Sequence, residues 1–280
     1  GKIVEGLKGS PAGERVLNFI SHDILADPKV KSLVQAYSEA QAKGTARAME
    51  LANAAKKLGP ERDRVISDII EKERFEPLTP HDVVTMGVAQ KISDEFTALG
   101  QAKVRAGLLS PETVASRQGS YLKRMYAEHL GDQASANIPT RSSTTSKIRI
   151  KGDRQRLDLS DEERNALGEV RESSFRTAMG IDQGYRDVAA SDLFESLKAI
   201  PGVIEPEFAK AIDALKAAKM GGDADAITDA RKAIADITRE HKDGVDGFVN
   251  LADTRGMGVL RGALVRKDVA TYLNGIPAFK

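Results

Sequence analysis

Leu58-Gly59-Pro60-Glu61-Arg62-Asp63-Arg64-Val65-Ile66-Ser67-Asp68-Ile69-Ile70 holds, in one short stretch, the pattern that decides the fold class. Gly59 before Pro60 is a firm helix stop, because a proline pushes the residue before it out of the α region. Pro60 then starts the next helix, where its missing N–H has no intrahelical acceptor to lose. Glu61 and Asp63 bring negative charge to the positive end of the helix dipole. Val65, Ile66, Ile69 and Ile70 recur at helical spacing and are expected to face a core.

The same signals repeat in both directions. Upstream, Val16, Leu17, Ile20 and Ile24 fall at helical spacing between Ser10-Pro11 and Asp27-Pro28. A second helix is expected from about Pro28, with Val30, Leu33, Val34 and Tyr37 on one face. Gly44 punctuates it, and an alanine-rich helix containing Ala46, Met49 and Ala52 follows. Downstream, Thr79-Pro80-His81-Asp82 opens what is expected to be the longest helix, ending at Gly107.

From Asn137 to Arg156 the chain is polar, with Pro139 and a Ser/Thr cluster at Ser142–Ser146. Only Lys147-Ile148-Arg149-Ile150-Lys151-Gly152 alternates like a strand. Helical signals then resume. Ser160-Asp161-Glu162-Glu163 is a capping box opening a helix to about Met179. Others are expected from Asp182 to Ala199, stopped by Pro201-Gly202, from Glu205-Pro206 to Met220-Gly221-Gly222, and from Asp223 onward. Ala226, Ile227, Ala230, Ile234 and Ile237 form a buried stripe on the last of these. The glycine-rich tail is expected to be loop-like until a short helix near Lys267–Leu273. The expected fold is therefore all-α: a multi-helix bundle in two helical halves joined by a polar, basic loop with at most a short strand or hairpin. The expected division is a helical bundle over residues 1–136, a polar basic linker over 137–158, and a helical region with a glycine-rich tail over 159–280.

Composition narrows the chemistry. The 280 residues carry 42 Lys plus Arg against 41 Asp plus Glu, a net charge of +1, which gives no global attraction to nucleic acid or anionic membrane. Cysteine is absent, which removes thiol nucleophiles and cysteine-based metal centres. Aromatics are 5% and tryptophan is absent, a profile of helices packed through small side chains. The chain opens on Gly1 and stops abruptly after Gly275–Lys280, from which an excerpt of a larger polypeptide is expected. No window approaches a transmembrane span.

No catalytic constellation emerges. His22, His81, His129 and His241 lack metal-ligand spacing, and His22-Asp23 and His81-Asp82 are neighbours whose side chains diverge on a helix. Glu71, Glu73 and Glu76, and Asp223, Asp225 and Asp229, read as solvated helix faces. Arg255-Gly256-Met257-Gly258-Val259-Leu260-Arg261-Gly262 fits no nucleotide fingerprint, although Arg255, Arg261 and Arg266 are able to hold an anion. No cofactor or metal is expected. The most asymmetric stretch holds Arg141, Lys147, Arg149, Lys151, Arg154 and Arg156 against Asp153, a local net of +5, and is the candidate polyanion contact.

Two segments resemble a known family. Arg105-Ala106-Gly107-Leu108-Leu109-Ser110-Pro111-Glu112-Thr113, with Gly119-Ser120-Tyr121-Leu122-Lys123-Arg124-Met125-Tyr126, is similar to a pattern in the large polyvalent proteins of bacteriophages. There, Gly-Leu-Leu-Ser-x-Glu-Thr precedes Gly-x-Tyr-Leu-Pro-Arg-x-Tyr. Gly258-Val259-Leu260-Arg261-Gly262-Ala263-Leu264-Val265-Arg266-Lys267-Asp268-Val269-Ala270 resembles that family's Gly-x-Leu-Arg-Gly-x-Tyr-Val-Pro-Lys-x-Val-Ala. Lys123 and Arg266 stand where the pattern has proline. The resemblance implies a non-enzymatic helical module of an internal virion, or ejection, protein delivered into the host. Its implied partners are other segments of a longer parent chain and other virion proteins. Phage DNA is a further candidate, oligomerisation is open, and the alternative reading is a nucleic-acid-binding module.

Overall fold

A computed structural model describes residues 27–72, 82–115, 170–251 and 262–275. Among these the chain is all-α apart from one small sheet. The helices are α1 (Pro28–Lys56), α2 (Pro60–Lys72), α3 (Asp82–Arg105), α4 (Pro111–Ala115), α5 (Ser173–Lys198), α6 (Pro206–Gly221), α7 (Ala224–Glu240) and α8 (Lys267–Gly275). Strands β1 (Phe248–Asn250) and β2 (Leu264–Arg266) pair antiparallel, with Val249 opposite Val265. None of the described helices is long and apolar enough to cross a membrane.

Helix ends follow the punctuation in the sequence. Gly59 has φ +92° and is followed by α2 beginning on Pro60. At the end of α3, Gly107 sits at φ +67°; its N–H donates to Val104 O and the Leu108 N–H donates to Lys103 O. That pair of bonds is a Schellman stop, closing two carbonyls the helix would otherwise leave open. Ser110 caps the restart, its hydroxyl accepting from the Thr113 N–H at 3.2 Å. Glu205 caps α6 by accepting from the N–H groups of Glu207 and Phe208.

Five expectations need correction. Gly44 does not break the first helix: α1 runs unbroken through it for 29 residues and is longer than α3, which has 24. Likewise α5 is continuous from Ser173 to Lys198 across the expected gap between Met179 and Asp182. On α2, Ile66 and Ile70 are buried and Ile69 half-buried, but Val65 is 47% exposed and Asp63 only 4% exposed. The tail is not loop alone, since β2 pairs with β1 and bridges Ile204 as well. The expected boundaries near 136 and 158, the capping box at Ser160 and the strand-like run Lys147–Gly152 lie outside the described residues.

Two compact units are present: Gly1–Glu39 with Ala190–Leu215 and Asp225–Lys280, and Ala40–Ala189 with Lys216–Ala224. Each draws on chain from both sides of the polar stretch. In the first unit, Phe194 and Phe208 meet edge to face at 6.3 Å between ring centres. There β2 is held on its second side too: the Arg266 N–H donates to Val203 O at 2.9 Å and the Glu205 N–H to Leu264 O at 2.9 Å. In the second unit, Ala48, Leu51, Ala55, Ile66, Ile70, Ala89, Ile92, Phe96, Leu99 and Ile181 make one apolar core. Small residues on α1 let its neighbours approach, which is why alanine at 48 and 55 is core rather than filler.

Candidate functional site

The densest polar chemistry among the described residues lies in the second unit, along α5. Its first turn is tied to α2. Asp63, Ser67 and Glu71 recur every fourth residue of α2 and so share one ridge. Asp63 Oδ1 accepts from the Ser174 N–H at 2.7 Å and from the Ser173 hydroxyl at 2.5 Å. Its Oδ2 accepts from the Ser174 hydroxyl at 2.5 Å. Ser67 donates to Arg171 O at 2.9 Å, and Glu71 accepts from Arg176 Nη2 at 2.5 Å. Arg176 is 1% exposed and the Glu71 side chain 13%, so this ion pair is largely withdrawn from water. Beside it, Arg64 donates to Glu172 from the solvent side.

A second polar group lies further along α5, where α1 and α3 approach it. Glu95 accepts from the Tyr185 hydroxyl at 2.6 Å and from Arg47 Nε at 2.7 Å, one bond to each carboxylate oxygen. Arg47 also reaches Glu50 at 2.9 Å. The hydrogen bond to Glu95 is the main reason the Arg47 guanidinium is held even more firmly charged than usual, although burial opposes it. Burial first, then the hydrogen bond to Glu95 and its negative charge, push the Tyr185 phenol up to about 12, with the Arg47 charge opposing. Thr45 donates to Asp182 at 2.6 Å, and Lys103 pairs with Asp187 at 3.0 Å. These carboxylates are engaged by donors on other helices, and the phenol stays protonated through the neutral range. The arrangement ties α5 to α1 and α3 through paired side chains.

Among the described residues no group of three or more His, Asp or Glu side chains is placed to hold a metal. The candidate polyanion contacts Arg141, Lys147, Arg149, Lys151, Arg154 and Arg156 lie outside the described residues, as do His22, His81, His129, Glu73 and Glu76. His241 is half-buried at the end of α7, its N–H donating to Ile237 O. Of the arginines able to hold an anion, Arg266 instead grips Asp268 with two bonds, at 2.6 and 2.9 Å; Arg255 and Arg261 lie outside. Gly262 takes φ +85°, with the Thr238 methyl 3.6 Å from where its Cβ would sit, as a glycine-permissive loop packing on a helix would have it.

Sequence reasoning passed over Glu95, Arg176 and Tyr185, and read Asp63 only as a dipole partner. The signal for Asp63 was present: Asp63, Ser67 and Glu71 form a polar ridge beside apolar Ile66 and Ile70. Nothing local marks Arg176, whose partner is 105 positions away. Comparison of the chain with protein-family models, curated proteins and solved structures finds no significant match.

Proposed function

We propose that this chain is a non-enzymatic helical structural module of a phage internal virion protein, acting in virion assembly or delivery into the host. The observation that carries the reading is how the buried polar groups of the second unit are spent. Asp63, Glu71, Glu95 and Asp187 each bind a donor on another helix, so the charged chemistry serves helix-to-helix attachment. The phage-like segment Arg105–Thr113 supports it as fold punctuation: a glycine stop at Gly107 and a capped restart at Ser110. Mass spectrometry of purified particles tests this, with peptides mapped onto the parent chain. Recovery of these residues within a longer virion protein is the expected result. Their presence in infected cells but absence from particles would overturn it.

A second reading rests on the local net charge of +5 between Arg141 and Arg156, in a chain whose total is +1. On this reading the stretch binds phage DNA. Neutralising the six basic residues to glutamine would then weaken binding and flatten its salt dependence, by close to one unit of log–log slope for each phosphate no longer neutralised. Binding with an unchanged salt slope would rule this reading out.

A further inference from the structure

The first two turns of α5 are built inside out. Ser173, Arg176 and Thr177 are 0%, 1% and 0% exposed, whereas Phe175 and Met179, one turn apart, are 40% and 42% exposed. An amphipathic helix ordinarily buries the opposite set. The α2 ridge helps to hold the polar face inward: Asp63 on Ser173 and Ser174, Ser67 on the Arg171 carbonyl, Glu71 on Arg176. The helix cap itself is borrowed. Glu172, the residue before α5, has its carboxylate on Arg64, and the Ser174 N–H is met by Asp63 across the seam. Thr177 Oγ1 is buried with no hydrogen-bond partner.

We propose that residues 171–180 form a polar clasp that detaches from α2 as a unit while the apolar core of the second unit stays closed. Detachment trades each hydrogen bond for one to water, at small net cost. It rehydrates Arg176 and Glu71, whose burial carries a desolvation penalty set against their attraction. Water reaches Thr177 Oγ1, and Phe175 and Met179, already 40% and 42% exposed, lose less than fully buried side chains would. The boundary falls at Ile181, which is fully buried within the apolar core. Beyond it, opening would expose apolar area, and that is what resists local unfolding. The inference stands on the geometry of α2 and α5 and does not rest on the virion assignment.

Native-state hydrogen exchange on the full chain, over a series of low denaturant concentrations, tests it. The amides of Arg176–Gly180 are expected to exchange at least about tenfold faster than those of Ala52–Ala55 and Ile92–Phe96, with weak dependence on denaturant. A shared isotherm for the two sets would overturn the proposal. Replacing the charged pair with apolar side chains, Glu71→Leu with Arg176→Met, should slow exchange at 176–180 toward the core rate; unchanged exchange there would count against it. Asp63→Asn should speed those amides alone, and equal acceleration throughout the unit would again overturn it. The wild-type isotherms decide the matter if that variant does not fold.

Discussion

Gly44 on α1 lies so close to Tyr185 on α5 that a methyl group added to it would sit 2.5 Å from the tyrosine Cγ. Within one turn of this contact, Thr45 bonds Asp182 and Arg47 shares Glu95 with Tyr185. The polar bonds therefore have their geometry because a residue without a side chain lets the two helices approach. Gly184 does the same on α5, where a Cβ would come 2.9 Å from Leu99 Cδ1.

Gly44→Ala should destabilise the protein. Alanine gains up to about 1 kcal/mol of helix propensity, but forcing a methyl into this contact costs on the order of 1–3 kcal/mol or more. The overlap is with the stiff Cβ–Cγ end of Tyr185, which has little room to give. Gly87 on α3 is the control: it is helical and exposed, and nothing lies within 4 Å of where its Cβ would be. Gly87→Ala should stabilise by about 0.5–1 kcal/mol. Urea unfolding of both variants checks the pair, and stabilisation by both would contradict the packing described for Gly44.

That contrast also shows what was legible in the sequence. Helix class, and ends at Gly59-Pro60, Gly107, Pro201-Gly202, Glu205-Pro206 and Asp223, were readable because stops and caps are made by neighbouring residues. Gly44 looked like another stop because a helix-interior glycine costs local stability wherever it occurs. What offsets the cost is Tyr185, 141 positions away by residue number, and no local pattern contains it. The hairpin was missed for a related reason: its strands have three residues each, too few to alternate, and β2 is stabilised by Val203–Glu205 from a different part of the chain. The polar groups along α5 were the least legible, since each is defined by a pairing of helices rather than by spacing within one.

The raised Tyr185 phenol predicts alkaline sensitivity. Its folded value of about 12 lies above its ordinary value of 10.0, because burial and Glu95 disfavour the phenolate. A group raised in this way contributes stability that is fully present below pH 10 and lost as pH rises from 10 toward 12. Tyr185→Phe should remove that part of the decline, and Glu95→Gln should bring the phenol's titration down. Absorbance titration of phenolate in these variants against wild type is the measurement; a wild-type Tyr185 step at its ordinary value would refute the pairing with Glu95.

Arg266 occupies a position where the phage pattern has proline, and its backbone is in use here. Its N–H donates to Val203 O, while its guanidinium holds Asp268. Arg266→Pro should lose about 1–3 kcal/mol, because the carbonyl of buried Val203, in the turn before α6, is left without its donor. Arg266→Ala keeps the N–H and gives up only a partly exposed ion pair, a loss of about 0–1 kcal/mol. It should also let the Asp268 carboxyl, held low mainly by the hydrogen bond from Arg266, rise toward 3.8. Since a depressed carboxyl contributes stability above its ordinary value and loses it on acidification, the alanine variant should show less loss at acid pH. Equal destabilisation by proline and alanine would mean that the ion pair, not the strand bond, matters at this position.

The turn after α3 offers the sharpest separation of causes. Gly107 adopts φ +67°, and the Leu108 carbonyl beside it accepts from Lys219 Nζ at 3.0 Å, with Lys219 only 7% exposed. Gly107→Ala should cost about 1–2 kcal/mol from the left-handed backbone alone. It should cost somewhat more because its Cβ would meet the Lys216 side chain at 2.7 Å. Asparagine tolerates that backbone conformation far better than alanine, so Gly107→Asn should recover part of the loss if φ dominates. Lys219→Met keeps the aliphatic stem and removes the donor, at a cost of about 1–3 kcal/mol for the buried carbonyl left behind. The same turn holds both features, so Gly107→Ala combined with Lys219→Met should destabilise by less than the two single effects added. Chemical denaturation of the four variants reads all of this. If Asn and Ala at 107 prove equally damaging, crowding by Lys216 rather than backbone strain fixes glycine at this turn; strict additivity with Lys219→Met would mean that the turn and the lysine are held independently.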